Sequence, residues 1–301
     1  MQSSGRAPLA RSGLDRAEHR RTDVGTDPAP DARVLVVDAD RAPMDAAGRL
    51  LWVSASDPAL AALDGIHAFL GEGADGRDLW LLALPDGAEA PDIAARWEAL
   101  RAVGGGLVDL DASAFVAALS LARWLRDSPY CPACGAVTTL TTGGWARSCG
   151  ACGREHFPRT DPAVIVAVTD PTGERILLGS NAAWGADRYS CFAGFVEAGE
   201  SLESAVAREV LEESGVHVEE LTYLGSQAWP YPRSLMLGFI ATTSDAVPRP
   251  DGEEIIDARW FDREQIAAAL AGDALPHLPG PASIARTLIE HWHAAERAGA
   301  A

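Results

Sequence analysis

The chain has 301 residues, of which 48% are apolar, and its net charge at neutral pH is −18. This length predicts two or three domains, and the apolar content is sufficient to form their cores. The excess of negative charge argues against an extended nucleic-acid groove and against binding to an anionic membrane, because both need basic patches. A small phosphorylated ligand is still compatible with this charge, since a bound metal ion can neutralise it locally.

The sequence contains no apolar run long enough to cross a bilayer. Arg20 and Arg21 are followed by Thr22-Asp-Val-Gly-Thr-Asp-Pro, where a signal peptide would need an apolar stretch. We therefore expect a cytoplasmic protein without a membrane partner.

The first third of the chain divides into two segments by composition. Residues 1–30 mix Ser, Gly, Arg, Pro and Asp without periodicity, which is typical of a disordered tail. Residues 31–127 alternate strand and helix patterns, which predicts a mixed α/β domain, and they contain no catalytic motif. Strands are expected at 33–38, 49–53, 66–70 and 79–84, and helices at 93–103 and 112–126.

Two CxxC pairs follow, Cys131-Pro-Ala-Cys134 and Cys149-Gly-Ala-Cys152, separated by fourteen residues. Four thiolates on two tight turns can surround one Zn²⁺ tetrahedrally and leave no open position, so the expected role is structural. Paired disulfides are the alternative, which a cytoplasmic location disfavours. We predict a zinc ribbon at residues 128–157. The fifth cysteine, Cys191, is expected to be a small buried residue rather than a nucleophile.

The remaining segment, residues 158–301, is predicted to be a sheet sandwiched between helices. It begins after the connector HFPRTDP at 156–162. Strands are expected at 163–168, 175–179, 189–193, 221–225, 234–242 and 258–261, and two closing helices at 263–270 and 283–293.

A helix in the middle of this segment is predicted from the stretch GFVEAGESLESAVAREVLEESGV at 194–216. Gly194 and Gly199 favour a turn whose backbone can approach a ligand closely. Ser201 is a suitable N-cap, and Gly215 supplies the left-handed residue that ends the helix.

On this helix Glu209, Glu212 and Glu213 stand at i, i+3 and i+4, so their carboxylates crowd on one side beside an apolar stripe. Such carboxylates raise one another's proton affinity unless a cation lies among them. Hard oxygen ligands in a partly open site suit Mg²⁺ or Mn²⁺ held jointly with substrate phosphates. The alternative is a solvated acidic helix face, which does not explain the preceding loop. We expect Arg208 to pair with Glu200 or Glu212 and to orient the carboxylates.

These residues form the complete Nudix box: Gly194, Glu200, then Arg208-Glu209-Val210-x-Glu212-Glu213-x-Gly215-Val216. Downstream, Ser226-Gln-Ala-Trp-Pro-Tyr-Pro-Arg-Ser234 resembles the SQPWPFPxS signature of bacterial NADH pyrophosphatases, which also remove NAD caps from RNA. Ala228 and Tyr231 depart from that signature. The resemblance covers roughly residues 128–293, including the zinc ribbon.

The resemblance implies a Nudix α/β/α sandwich and a set of site residues. The catalytic metal would be held by Glu209, Glu212, Glu213, Glu254 and the Ala193 carbonyl, with Arg208 in support. Either Glu213 or Glu254 would be the general base. Phe157 and Phe195 would stack on the nucleotide base, Phe157 across a homodimer interface. The alternative is that both are core residues, and stacking is favoured because of the motif around them. The remaining implied substrate-binding residues are Gln227, Ala228, Trp229, Pro230, Tyr231, Pro232, Arg233, Ser234 and Ala285.

The expected reaction is metal-dependent hydrolysis of the pyrophosphate bond of NAD(H), which gives nicotinamide mononucleotide and AMP. The resemblance extends this expectation to the 5′ end of NAD-capped RNA. One alternative is a broader hydrolase acting on ADP-ribose or diadenosine polyphosphates. Another is a catalytically silent module that senses a nucleotide, which the intact acidic residues of the box disfavour.

Overall fold

The structure is a computed structural model that describes residues 7–185, 187–272 and 274–295. The chain divides into two compact units. The N-terminal unit comprises Arg11–Thr160 together with Pro230–Arg233, and the C-terminal unit comprises the described parts of Met1–Ala10, Asp161–Trp229 and Ser234–Ala301. Within the described ranges, every helix is too short or too polar to span a bilayer.

The N-terminal unit contains a four-stranded sheet in the order β3-β1-β5-β4, in which β1 and β5 run parallel. Val34, Val36 and Trp80 are fully buried against one face of this sheet, since alternate residues of a strand share a face. The strands of this unit are β1 (Arg33–Val37), β2 (Arg41–Met44), β3 (Val53–Ser54), β4 (Ile66–Glu72), β5 (Asp78–Ala83), β6 (Arg96–Ala99), β7 (Thr139–Thr141), β8 (Ala146–Ser148) and β9 (Glu155–His156). Its helices are α1 (Pro58–Ala61), α2 (Leu100–Val103) and α3 (Asp109–Asp127).

Two predicted elements of this unit are wrong in type or extent. Residues 93–103 are not one helix, because β6 pairs antiparallel with β2 and only α2 is helical. The strand expected at 49–53 is reduced to β3, while Leu50 makes an isolated bridge to Met44. Pairing with β2 decides the conformation of β6, and pairing with β1 decides where β3 lies. Local propensity does not contain the information on these pairings.

The predicted disordered tail is also wrong over the residues that the structure describes. Glu18–Arg20 form a 3₁₀ helix, and the Arg20 guanidinium donates to Asp78 Oδ1 at 2.6 Å and to Glu72 Oε2 at 3.0 Å. The Arg21 guanidinium lies 4.0 Å from the centre of the Trp145 ring. These polar and cation–π contacts hold a segment whose composition lacks apolar periodicity. Residues 1–6 lie outside the described residues.

The C-terminal unit is built on a six-stranded sheet in the order β13-β14-β10-β11-β15, with β12 also paired to β10. Strands β10 and β14 run parallel, and the other pairs are antiparallel. The strands are β10 (Asp161–Thr169), β11 (Arg175–Asn181), β12 (Phe192–Phe195), β13 (Leu221–Trp229), β14 (Ser234–Thr242) and β15 (Ile255–Asp262). The helices are α4 (Leu202–Ser214), α5 (Arg263–Ala271) and α6 (Ile284–Ala294).

The central strand β10 shows why this unit is a sandwich. Its side chains Val164, Val166 and Val168 pack in the core that contains the apolar face of α4. Ile165 and Ala167 point the other way and pack in the core that contains α6. Because both faces of the strand are covered, its sequence is continuously apolar. The predicted α/β/α sandwich is confirmed.

Candidate active site and zinc ribbon

Helix α4 begins and ends where its sequence predicts. The Ser201 hydroxyl accepts from the Ser204 N–H at 3.2 Å, and Gly215 closes the helix with φ 68°. Val206 and Val210 are fully buried against the sheet. This apolar face fixes the rotation of the helix and therefore fixes which acidic side chains turn towards β12.

Gly194 has a different role from the predicted turn, because it lies within β12 and pairs with Val164. A Cβ atom at this position would stand 1.9–2.1 Å from the carboxylate atoms of Glu209. The missing side chain is what lets the α4 carboxylate approach the strand. Gly199, with φ 90°, is the residue that makes the turn before the helix.

Glu213 is the buried acid of the site, with 6% of its surface exposed. Its Oε2 accepts a hydrogen bond from the Ala193 N–H at 3.2 Å. Burial raises the pKa of Glu213 to about 8, and the negative charges of Glu254 and Glu209 add to this effect. A cation beside this carboxylate would relieve the cost of ionising it.

Arg208 connects the acids of the box, and its hydrogen-bond partners include both of the predicted ones, Glu200 and Glu212. Its guanidinium donates to Glu200 Oε1 at 2.9 Å, Glu209 Oε1 at 2.8 Å and Glu212 Oε2 at 3.2 Å. It also donates to the Phe195 carbonyl at 3.0 Å, so helix and strand are joined. The Arg208 hydrogen bonds lower the pKa of Glu200 to about 2, which keeps this carboxylate ionised.

Glu254 is placed by the turn that precedes β15. Asp251 Oδ1 accepts the N–H of Glu253, Glu254 and Ile255 at 2.8–3.0 Å, which orders the turn. The Glu254 carboxylate accepts from Asn181 Nδ2 at 3.3 Å. The negative charge of Glu254 helps to raise the pKa of Glu213, so the two carboxylates are close enough to interact electrostatically.

The donor set of these acids fits a hard divalent cation. Glu209, Glu213 and Glu254 offer carboxylate oxygens, and the Ala193 carbonyl offers a neutral one. Among the described residues, only the four cysteines of the ribbon group three or more ligand atoms within 4.8 Å, so the carboxylates are spread more widely. Glu212, whose side chain is 59% exposed, lies at the outer edge of the cluster.

Replacing Gly194 with Ala is expected to displace the Glu209 carboxylate while leaving the fold intact, since the end of a flexible side chain can move. We expect the apparent affinity for Mg²⁺ or Mn²⁺ to fall by about 10–100-fold, which titration of activity against metal concentration would measure. Gly280→Ala is the matched control, because its added Cβ would meet no atom within 4 Å. An unchanged metal requirement in Gly194→Ala would contradict this role.

The four cysteines of the predicted ribbon come together in the N-terminal unit. The Cys131–Cys152 and Cys134–Cys149 sulfur pairs are 3.7 and 3.5 Å apart. These distances are close to the edge of about 3.8 Å of a tetrahedron with Zn–S bonds of about 2.3 Å. All four thiols are free, so the disulfide alternative is wrong in this structure. The zinc-ribbon prediction is confirmed.

Two further groups lie close to the thiols of the ribbon. The backbone N–H of Cys152 lowers the pKa of Cys149 to about 6, whereas hydrogen bonding to the other three thiols raises the pKa of Cys134 to about 12, so the four thiols do not ionise alike. His156 Nε2 lies 3.2 Å from Cys131 Sγ. No role for His156 is predicted from the sequence, although its position four residues after Cys152 is a usable signal.

Cys191, the fifth cysteine, is buried in the C-terminal core. Burial raises the pKa of its thiol to about 12. A thiol in this state is a poor nucleophile, as the sequence predicted.

The predicted substrate segment contains residues with internal structural roles. Gln227 is 1% exposed; its amide donates to the Ala282 carbonyl at 3.0 Å and accepts from the Leu9 N–H at 3.1 Å. Gln227 therefore positions the end of β13 against the start of α6. Ser234 and Ala285 are also buried. The Ala285 N–H donates to the Ser283 hydroxyl, which caps α6.

The tip of this segment, Pro230–Arg233, belongs to the N-terminal unit. The Tyr231 hydroxyl accepts from the Arg101 N–H at 3.1 Å. The Tyr231 ring also lies 5.2 Å from the Arg123 guanidinium. The departure from Phe at this position therefore adds a hydrogen bond that a Phe ring does not make. Ala228 and Trp229 are partly buried at the end of β13.

Phe157 and Phe195 are 61% and 54% exposed. Exposure at this level excludes the alternative that these two rings are core residues. Both are free to present an aromatic face to a ligand or to another chain.

Family models and curated relatives agree on the same family. Residues 159–279 match the NUDIX domain, and residues 126–157 match the NADH pyrophosphatase zinc ribbon domain. The chain is 41% identical to the NAD-capped RNA hydrolase NudC of Mycobacterium tuberculosis H37Rv, over 96% of this chain and 95% of that protein. It is 39% identical to the protein of the same name from Stutzerimonas stutzeri, over 79% and 80% of the two chains.

A third relative, the NAD-capped RNA hydrolase NudC of Pseudomonas syringae pv. tomato, is 37% identical over 93% of this chain and 96% of its own length. These matches run through the ribbon, the acidic helix and the segment after it, in the order in which the structure places them. The chain therefore belongs to the Nudix hydrolases, in the zinc-ribbon family that includes the NudC proteins.

Proposed function

We propose that this protein hydrolyses the pyrophosphate bond of NAD(H) to nicotinamide mononucleotide and AMP, and that it removes NAD caps from the 5′ end of RNA. The observation that carries the proposal is the buried Glu213, held by the Ala193 N–H and flanked by Glu209 and Glu254. The names of the NudC relatives support the choice of substrate.

The catalytic metal is Mg²⁺ or Mn²⁺ in this proposal, held by Glu209, Glu213, Glu254 and the Ala193 carbonyl. When bound, such an ion neutralises the pyrophosphate charge and lowers the pKa of a coordinated water. Arg208 keeps Glu209 and Glu212 oriented through its hydrogen bonds. Glu213 or Glu254 would accept the proton of the attacking water.

The substrate-binding roles of Phe157, Phe195 and the segment from Gln227 to Ser234 are part of the same proposal. The exposure of both phenylalanine rings supports stacking on a nucleotide base. For Phe157 it also supports contact with the base bound by the other subunit of a homodimer. Ala285 would contribute a backbone contact. A cytoplasmic location suits the four free thiols of the ribbon, because a reducing compartment keeps them available for zinc.

The proposal is tested by comparing kcat/KM for NADH, NAD⁺, ADP-ribose and diadenosine polyphosphates in the presence of Mn²⁺. We expect AMP release, with NADH or NAD⁺ preferred over ADP-ribose by at least about tenfold, equivalent to about 1.4 kcal/mol of transition-state binding. Equal rates on all four substrates would favour the broader hydrolase. Tight binding of a dinucleotide without any turnover would favour the silent sensor.

A further inference from the structure

Asn181, the last residue of β11, contacts a carboxylate of the candidate metal site. Its Oδ1 accepts the Ala183 N–H at 2.9 Å, and its Nδ2 donates to Glu254 Oε1 at 3.3 Å. The first hydrogen bond determines how the amide is turned, because Oδ1 must face the backbone N–H and Nδ2 then faces the carboxylate. The two segments are also joined through the backbone, since the Ala182 N–H donates to the Glu254 carbonyl at 2.9 Å.

A β-bulge in β15 places this contact next to the core that α4 covers. The register between β11 and β15 shifts at Asn181, so that Ile256 is an extra residue in β15. Ile255 and Ala258 both pack in the core that contains the apolar face of α4. Residues three apart in a regular strand would face opposite sides of the sheet, and the extra residue removes this difference. Glu254 is therefore joined directly to a residue of the core beneath the acidic helix.

The hydrogen bond from Asn181 restricts a side chain that otherwise lies in solvent. Glu254 is exposed, and a glutamate in solvent samples many rotamers, which a bound cation must reduce to one. Oε1 is held by the amide, whereas Oε2 has no hydrogen-bond donor among the residues that the structure describes and is available to a cation. Because the amide is neutral, it orients the carboxylate without offsetting its charge. Arg208, in contrast, offsets part of the charge of the acids that it holds.

We propose that Asn181 is a positioning residue for the catalytic metal ion: it orders the Glu254 carboxylate before Mg²⁺ or Mn²⁺ binds. This inference rests on the proposed role of Glu254 as a ligand of that ion. Side chains that orient the ligands of a metal ion contribute about 10–100-fold to metal affinity or activity. The competing explanation is that Asn181 serves only the backbone turn, through its hydrogen bond with the Ala183 N–H.

Two substitutions separate these roles, because each keeps one of the two hydrogen bonds. Asn181→Ser keeps an oxygen that can accept the Ala183 N–H, but its side chain is too short to reach Glu254. Asn181→Gln keeps an amide that can reach Glu254 and loses the short-range bond of the turn.

The dissociation constant for Mn²⁺ is measured without substrate, from the electron paramagnetic resonance signal of the free ion. We expect it to rise by about tenfold in Asn181→Ser and to stay within about twofold of wild type in Asn181→Gln. A role confined to the turn predicts the reverse order.

The activity and a second substitution give independent readouts. In Asn181→Ser, kcat/KM for NADH should fall by about tenfold at limiting Mn²⁺, and the loss should shrink towards saturation, because the bound ion itself orders Glu254. In a Glu254→Gln background, Asn181→Ser should cause no further loss of Mn²⁺ affinity, since its effect passes through the carboxylate. The matched control is Gln265→Ser, which removes an exposed amide that caps α5 in the same unit. Its affinity for Mn²⁺ should equal that of wild type.

Wild-type affinity for Mn²⁺ in Asn181→Ser would overturn the inference. A loss in the Glu254→Gln background as large as the loss in the wild-type background would overturn it as well. The Mn²⁺ titration needs no turnover, so it remains decisive for Asn181 even if the protein does not hydrolyse NADH and the proposed function fails. Unchanged Mn²⁺ affinity in Glu254→Gln alone would remove Glu254 from the proposed ligands, and the role of Asn181 would fail with it.

Discussion

Glu213→Gln is expected to lower the rate of NADH hydrolysis in Mn²⁺ by about three orders of magnitude, with the fold preserved. Glutamine keeps the size of the side chain and an oxygen that can accept from the Ala193 N–H. It removes the charge that would hold the cation and the site that takes up a proton. Steady-state release of AMP measures the effect. The matched control is Glu203→Gln, an exposed position on the same helix, which should retain wild-type activity.

The metal-free protein offers an independent check through the dependence of stability on pH. The pKa of Glu213 is raised from 4.5 to about 8 by folding. Between these two values the folded chain holds a proton that the unfolded chain has released, so the free energy of unfolding falls as pH rises through this window. Glu213→Gln has no carboxyl group to ionise at this position, so its free energy of unfolding does not fall in this way. Its metal-free form should therefore melt at a higher temperature than wild type at pH 8. A higher melting temperature together with lost activity separates a functional defect from misfolding.

Removing the ribbon zinc is expected to cause the largest loss of stability. Strands β7, β8 and β9 have two or three residues each, and such strands bury little apolar surface. Zinc binding therefore supplies much of the free energy that orders this segment. We expect Cys149→Ser to reduce the bound zinc from one ion per chain to nearly none and to destabilise the N-terminal unit by several kcal/mol. Elemental analysis and thermal unfolding measure the two effects.

Cys191→Ala is the matched control for the ribbon prediction, since Cys191 is buried in the core of the C-terminal unit and is not a proposed ligand. This variant should keep one zinc ion per chain. The structural role of zinc would be contradicted if Cys149→Ser lost the metal and its melting curve did not change. Retention of a full zinc content in Cys149→Ser would instead contradict the four-cysteine site.

The sequence by itself determined the parts of this protein that depend on local spacing. Helix α4 follows from a capping serine, a closing glycine and valines four residues apart, all of which act within one helix. The zinc ribbon follows from two CxxC turns, because each turn sets the separation of its own pair of thiols. The sandwich was predictable because β10 is apolar on both faces.

Tertiary structure alone decided the features that join distant segments. The ordered position of residues 11–30 depends on acids and a ring supplied by residues 72–145, and the β6 strand depends on pairing with β2. Gly194 makes room for a carboxylate fifteen residues away, and Gln227 has its hydrogen bonds satisfied by Leu9 and Ala282. The raised pKa of Glu213 arises from burial and from the charge of Glu254, which lies directly before β15. Burial and long-range electrostatics are properties of the packed chain, and no local pattern encodes them.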